Sequence, residues 1–233
     1  MSVQIVTAVR NRVLAKLPRR SYRRIERDLA SVKLRLGQVL HEPNEAISYV
    51  YFPDTCVISL LTLTEKGKAL EVGLVGAEGL AGVSLALGVK RSPVQSIVQG
   101  AGSATRISAT RLAKVLASDR ILERRLSRYS HVAMATAMQI AACNNTHVLQ
   151  ARLARWLLML RDRVATDVLG LTQELAGVML GVRRVGVTGA AGELQRRGLI
   201  QYRRGVIRIV DRKGLRAAAC SCYESLRNLS SAG

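Results

Sequence analysis

The spacing of apolar positions changes period twice along the chain. Over residues 3–17 the apolar side chains Ile5, Val9, Val13, Leu14 and Leu17 recur at helical spacing. After Pro18, the run Arg19-Arg20-Ser21-Tyr22-Arg23-Arg24 opens a second short helix with Ile25 and Leu29 on one face. Beyond Gly37 the segments become short, β-branched and often alternating. They span 46–52, 56–64, 69–75, 94–99 and 104–107. Turn formers part them at Pro53-Asp54, Glu65-Lys66-Gly67-Lys68 and Gly100-Ala101-Gly102. Short strands at this spacing predict a β-sandwich or a β-roll.

The period then becomes helical again. Residues 111–146 contain neither Pro nor Gly and predict one long helix, about 40 Å of it after Asp119. Leu122, Leu126, Tyr129, Ala133, Thr136, Ile140, Cys143 and His147 follow steps of four and three. That seam is how two helices pack along their length, and a dimer interface is the expectation; a helix buried in a monomer would carry the same stripe. From residue 148 onward, Leu149, Leu153, Trp156, Leu157 and Leu160 stripe a further helix, with Arg152, Arg155, Arg161 and Arg163 expected off its apolar face. Thr172 is placed to cap the next helix, and Gly181 to end it. A third helix runs over about 183–197 and stops at Gly198. Residues 199–202 and 206–210 then form a hairpin about Arg203-Arg204-Gly205.

Composition narrows the partner. Thirty-six Lys and Arg against sixteen Asp and Glu leave a net charge of +20, a field that draws polyanions. Aromatic residues are only 3%, which argues against single-strand binding built on base stacking. No apolar run approaches the ~20 residues of a membrane span, and Met1-Ser2-Val3-Gln4-Ile5-Val6 lacks signal-peptide architecture, so a cytoplasmic protein is expected. A membrane-surface role for the basic segment 10–35 and a hydrolase built on Glu78 or His41 are the rival classes. The second has no nucleophile–base pair, and no enzyme is expected.

Helix, short turn at Leu180-Gly181-Val182, helix and basic hairpin make the winged helix-turn-helix plan. A helix about 10–12 Å wide fits the ~12 Å major groove of duplex DNA. The first exposed residues of the second helix would be Arg183, Arg184, Val185, Thr188 and Gly189. Arginine can grip guanine O6 and N7, and a Val or Thr methyl can press on a thymine methyl. Thr172, Gln173, Arg203 and Arg204 are placed for phosphates.

These residues resemble the Crp/Fnr superfamily of transcription regulators. The likeness lies in Leu171-Thr172-Gln173-Glu174-Leu175-Ala176, in Gly181-Val182-Arg183-Arg184, and in Gly198-Leu199-Ile200 with its wing. Ala151-Arg152-Leu153-Ala154-Arg155-Trp156-Leu157 resembles the family's first DNA-domain helix, and Gly76-Ala77-Glu78-Gly79-Leu80 falls within the sensor. The resemblance implies an α+β chain with three parts. These are an N-terminal β-roll sensor of the cyclic-nucleotide-binding or cupin type (1–111), a dimerisation helix and hinge (112–147), and a winged helix-turn-helix (148–233). It further implies a homodimer on a pseudo-palindromic duplex site and contact with RNA polymerase.

The effector is open at this stage. A small ligand in the roll would meet Gly76, Glu78, Gly79, Gly82, Arg91 and Ser92, while an effector-free dimer with a degenerate roll is the alternative. Only Arg91-Ser92 survives of the three features a cyclic nucleotide needs, so cyclic AMP is not the expected ligand. Separately, Val185 and Gly189 replace an acid and an Arg of the cyclic-AMP receptor's recognition helix, so the base sequence read is expected to differ. No Cys precedes Cys56, which leaves the family's N-terminal iron–sulfur cluster without ligands. Haem through His41, His131 or His147 stays open. Cys220-Ser221-Cys222 is tight for a zinc knuckle and no His follows it, so Cys56, Cys143, Cys220 and Cys222 are expected as buried or free thiols, with no metal.

Overall fold

The structure, a computed structural model, describes residues 10–63 and 69–232. Ile5 and Val9 of the first helix and the turn Glu65-Lys66-Gly67-Lys68 lie outside the described residues. Helix α1 (Arg12–Ala15) is capped by Asn11. The buried Asn11 side chain accepts from the Val13 and Leu14 amides, and its Nδ2 donates to the carbonyls of Pro53 (2.9 Å) and Gly79 (2.8 Å). The start of α1 is thereby pinned to the segments of Pro53 and Gly79. Helix α2 (Arg19–Ile25) enters after Pro18, whose fixed φ suits a helix start.

Among the described residues, seven strands build the roll: β1 (Ala30–Leu34), β2 (Val39–His41), β3 (Tyr49–Pro53), β4 (Val57–Leu63), β5 (Ala69–Val75), β6 (Gln95–Gly100) and β7 (Gly102–Ser108). They form two antiparallel sheets, ordered β1-β7-β3 and β2-β6-β4-β5. All five strands expected from the alternation are present. The alternation does not reveal β1 and β2, because β1 is largely exposed and β2 is three residues long, so neither shows a buried period of two.

The continuous helix expected over 111–146 is broken. Helix α3 (Ala109–Leu116) ends before Asp119, whose buried carboxylate caps α4 (Arg120–Thr146) by accepting from the Ile121 and Leu122 amides at 3.1 Å. The cap also accepts from Ser21 of α2. A capping carboxylate satisfies amide donors that a continued helix would have used itself, and here it wins over the uninterrupted helical pattern.

The heptad seam is also corrected. Leu122, Leu126 and Tyr129 sit in a core with Val50, Phe52 and Ile107 of the roll, while Ile140 and Cys143 are covered by the C-terminal third. Ala133 and Thr136 are half-buried over the roll. Leu122, Leu126, Tyr129, Ile140 and Cys143 of the seam are therefore covered within one chain, while Ala133, Thr136 and His147 stay partly exposed. The solvent-facing stripe of α4 is a different one, with Ile121, Met134 and Met138 each more than half exposed and Ala141 and Ala142 beside them.

The C-terminal third comprises α5 (Leu149–Val164), β8 (Val168–Gly170), α6 (Gln173–Leu180), α7 (Arg184–Arg196), β9 (Ile200–Arg203), β10 (Val206–Ile209), α8 (Arg212–Ala218) and α9 (Cys222–Ala232). The wing is a three-stranded sheet, β8-β10-β9. Its hairpin turns on Arg204 and Gly205, both with positive φ, the geometry a two-residue β-turn requires. Arg152 and Arg155, expected off the apolar face of α5, are instead buried. The Arg152 guanidinium donates to the Leu180 carbonyl at the end of α6, where a helix leaves acceptors unpaired and a partial negative charge.

One core joins the roll to the C-terminal third. Val57, Leu61 and Leu74 pack with Leu153, Trp156 and Leu157 of α5. Inside it lies Glu71 of β5, 3% exposed. Its carboxylate accepts from the Trp156 indole and the Ser59 hydroxyl, both at 2.7 Å. Burial pushes the Glu71 carboxyl up to about 7, against the opposing effect of those two hydrogen bonds. The folded state thus favours the neutral acid. Its stabilising contribution is complete below the unfolded value of 4.5 and is lost as pH rises through about 7.

Glu71→Gln keeps a neutral group in both hydrogen bonds, so urea denaturation of the variant will lose less stability than the parent between about pH 5 and about pH 8; equal losses would contradict the role given to Glu71. In the helix-turn-helix, a Cβ on Gly177 would stand 2.9 Å from the Val182 carbonyl oxygen, whereas one on Gly192 meets open space. Gly177→Ala will therefore destabilise by ~1–3 kcal/mol, and Gly192→Ala will stabilise by up to ~1 kcal/mol, both read from denaturation midpoints.

Candidate nucleic-acid interface

The two helices of the motif meet at a turn fixed by local chemistry. Thr172 caps α6, its hydroxyl accepting from the Leu175 amide at 3.2 Å. At the other end Gly181 adopts φ +65°, and the Val182 amide closes back on the Gly177 carbonyl at 2.9 Å. Helix α7 then starts at Arg184 with Arg183 as its N-cap. Val187, Ala190, Ala191 and Leu194 hold its inner face in the core.

The opposite face is open. Arg183, Arg184, Val185, Thr188 and Gly189 are all exposed, with Val185 at 76%. An aliphatic side chain this exposed, next to Arg183 and Arg184, is not held by packing within the described chain. Gln173 ties the two helices together: its Oε1 accepts from the Thr188 hydroxyl at 2.9 Å and from Arg184 Nε at 3.3 Å. Arg184 also reaches Glu174 at 2.9 Å. The leading arginine is thus held above the helix start, in an exposed and easily exchanged ion pair.

Beside it runs a groove between the start of α6 and the wing, lined by Thr172, Gln173, Glu174, Arg184, Tyr202, Arg204 and Gly205. Tyr202 fixes its wall: its hydroxyl donates to the Leu171 carbonyl at 3.0 Å, and burial together with the neighbouring Glu174 carboxylate raises its pKa. Arg203 and Arg204 are exposed at the tip. All nine residues expected to meet DNA therefore gather on the α6–α7–wing face, eight of them on the surface itself and Gln173 half-buried as the link.

The expected effector residues divide. A cavity of about 170 Å³ lies between the roll and α4, walled largely by apolar side chains such as Leu74, Val75, Val83 and Val94. Glu78, Gly82 and Ser92 line it, whereas Arg91 does not. Arg91 is exposed and donates to the Asn44 carbonyl at 2.5 Å, outside the cavity. Glu78 is engaged by Arg163 of α5 at 2.7 Å. Gly76 and Gly79 leave room for neighbours: a Cβ on the first would crowd Glu78 and Arg163, and on the second would collide with the Tyr129 hydroxyl. This segment anchors the roll to α4 and α5. His41 is likewise engaged, between the Ser96 hydroxyl (3.0 Å) and the Tyr49 carbonyl (2.8 Å).

All four thiols are buried and free, as the sequence reading expects, and three of them share one place. Cys143, Cys220 and Cys222 converge with His147, their candidate ligand atoms all within 4.8 Å of one another. Reading Cys220-Ser221-Cys222 by itself misses this, because the histidine lies upstream rather than downstream. The available signal was Cys143 with His147 four residues on, at the C-terminal end of α4.

Comparison with known proteins agrees with this architecture. Residues 151–218 match the family model of the Crp-like helix-turn-helix domain. A regulator of the Crp/Fnr family from Eubacterium rectale is 17% identical, with a TM-score of 0.72 over 89% of this chain and 97% of that one. FixK2 from Bradyrhizobium japonicum is also 17% identical, with a TM-score of 0.70 over 83% of this chain and 98% of its own. A Crp/Fnr family regulator from Thermus thermophilus is 24% identical, with a TM-score of 0.68 over 82% of this chain and 98% of that one. No curated protein matches the sequence. Among the described residues no helix is long and apolar enough to cross a membrane. The chain has the fold of the Crp/Fnr-type transcription regulators and carries, at residues 151–218, a Crp-like helix-turn-helix DNA-binding domain.

Proposed function

We propose that the protein is a homodimeric, sequence-specific regulator of transcription that binds a pseudo-palindromic duplex site. The observation that carries this reading is the exposed row Arg183, Arg184, Val185, Thr188 and Gly189 at the start of α7, beside a basic wing on a chain of charge +20. In the major groove, Arg183, Arg184 and Thr188 discriminate base edges and Val185 presses on thymine methyls. Gly189 lets the helix approach closely. Thr172, Gln173, Arg203 and Arg204 hold phosphates and set the register. The three parts expected along the chain (1–111, 112–147 and 148–233) then serve as roll, dimerisation element and DNA reader. A promoter-bound dimer of this kind works in the cytoplasm and acts on RNA polymerase.

The dimer surface is assigned to the exposed stripe of α4, centred on Met134, Met138, Ala141 and Ala142, in place of the internal seam. Small residues there allow two helices to approach, and the methionines fill the remaining gaps. The roll supports the effector-free reading where cyclic nucleotides are concerned. Arg91 lies outside the cavity, and Arg163, the guanidinium that does line it, is paired with Glu78.

Two experiments test the proposal. In binding to duplexes selected from a random pool, Arg184→Ala will cost ~1–3 kcal/mol and relax specificity, while Arg203→Ala will weaken all duplexes alike and lower the salt slope by about 1. Equal, sequence-independent losses in both would refute the division of labour. In sedimentation, Met138→Glu will shift the protein from dimer to monomer, with DNA affinity falling in step. A dimer that survives the charge would place the interface elsewhere.

A further inference from the structure

At the hinge, the last turn of α4 and the segment leading into α9 bring four soft or borderline ligands together. Cys143 lies in the last turn of α4 and His147 is the extended residue that caps its C-terminus, while Cys220 precedes α9 and Cys222 begins it, more than 70 residues away in sequence. The Cys143 and Cys220 sulfurs are 3.5 Å apart, and the Cys222 sulfur is 3.7 Å from His147 Nδ1. Four ligands on a tetrahedral centre with bonds of about 2.0–2.3 Å stand about 3.3–3.8 Å from one another. These two spacings match two edges of such a site, and all four ligand atoms lie within 4.8 Å of one another. A polynuclear iron–sulfur cluster would place its own core between the ligands and hold them farther apart.

We propose that Cys143, His147, Cys220 and Cys222 bind a single zinc-class divalent cation that joins the end of α4 to α9. Three thiolates, a neutral imidazole and a dication leave the loaded centre at −1. The charges needed to bury it are present: the guanidiniums of Arg152 and Arg155 are buried close enough to interact with these thiols, and the Nε of each has no hydrogen-bond partner. Gln139 supports the site from outside, its Nε2 donating to the Cys222 sulfur at 3.2 Å. Outlying donors of this kind orient ligands and stabilise charge on them. His147 is only half-buried and leaves an edge through which an ion can enter, while the three cysteines are closed off from solvent. Binding displaces three thiol protons to solvent and involves no oxidation. The proposal is independent of DNA recognition, since none of the four residues belongs to that face.

The test uses the full chain, stripped of metal and kept fully reduced without oxygen. Cobalt(II) is titrated as the probe and then displaced with zinc(II). One equivalent will bind, with the visible bands of a tetrahedral centre and thiolate-to-metal charge transfer, and zinc will bleach both. Cys222→Ser and the milder His147→Ala will weaken cobalt binding by about 10-fold or more, with helix content checked by circular dichroism. Cys56→Ser, in the roll, will bind as the parent does. The proposal is overturned if the reduced chain shows no tetrahedral spectrum. A folded Cys222→Ser or His147→Ala that binds with the parent's stoichiometry and affinity overturns it too. So does a Cys143–Cys220 disulfide whose reduction restores no metal uptake.

Discussion

Helix α5 is the element on which the rest of the molecule depends, because one apolar surface serves two parts of the chain. Trp156, Leu153 and Leu157 close the roll against β4 and β5, while their neighbours on α5 form the floor beneath α6 and α7. At this crossing the Trp156 indole needs an acceptor in a place without water, and Glu71 supplies it. Burying a carboxyl there is costly, and the fold lessens the cost by favouring its neutral form. Arg163 and Glu78 make a second link further along α5. The orientation of the DNA-reading face relative to the roll thus follows from a small number of polar contacts set in a shared core.

Much of the fold was legible because its periods are clean. The alternation through 56–64 and 69–75 anticipated the β4–β5 hairpin, and Gly181 and Gly198 marked helix ends by the backbone angle they alone accept cheaply. What was illegible has a common cause: a side chain's partner lay far away in sequence. Asp119 reads as one polar residue in a helical run, yet it breaks the helix because Ser21 and two amides converge on it. Arg152 and Arg155 look like the solvent face of α5 until the ends of neighbouring elements appear beside them. The stripe of α4 was detected correctly as apolar, but periodicity cannot say which surface covers it. The chain's own roll and C-terminal helix do so.

The candidate interface was the most legible part of the site, since a helix-turn-helix is encoded by neighbours. The set of candidate effector residues was the least. Arg91-Ser92 matched a pattern by order alone, and order does not fix direction: Ser92 turns into the cavity while Arg91 turns out to Asn44. The clustering of the thiols was hidden for the opposite reason. Each looked unremarkable locally, and only the packing of α9 against α4 brings them together.

The pairing of Arg184 with Glu174 and Gln173 has a consequence for how such a protein would search a genome. A side chain already occupied by a carboxylate and an amide gains little from a mismatched base, which offers no better set of acceptors. Only a guanine in register, presenting two at once, competes on favourable terms. If the proposed DNA reading holds, the wing would keep the protein associated with random DNA through the sugar–phosphate chain while this arginine rests on Glu174 and Gln173, an exposed pairing that a correctly placed guanine could readily displace.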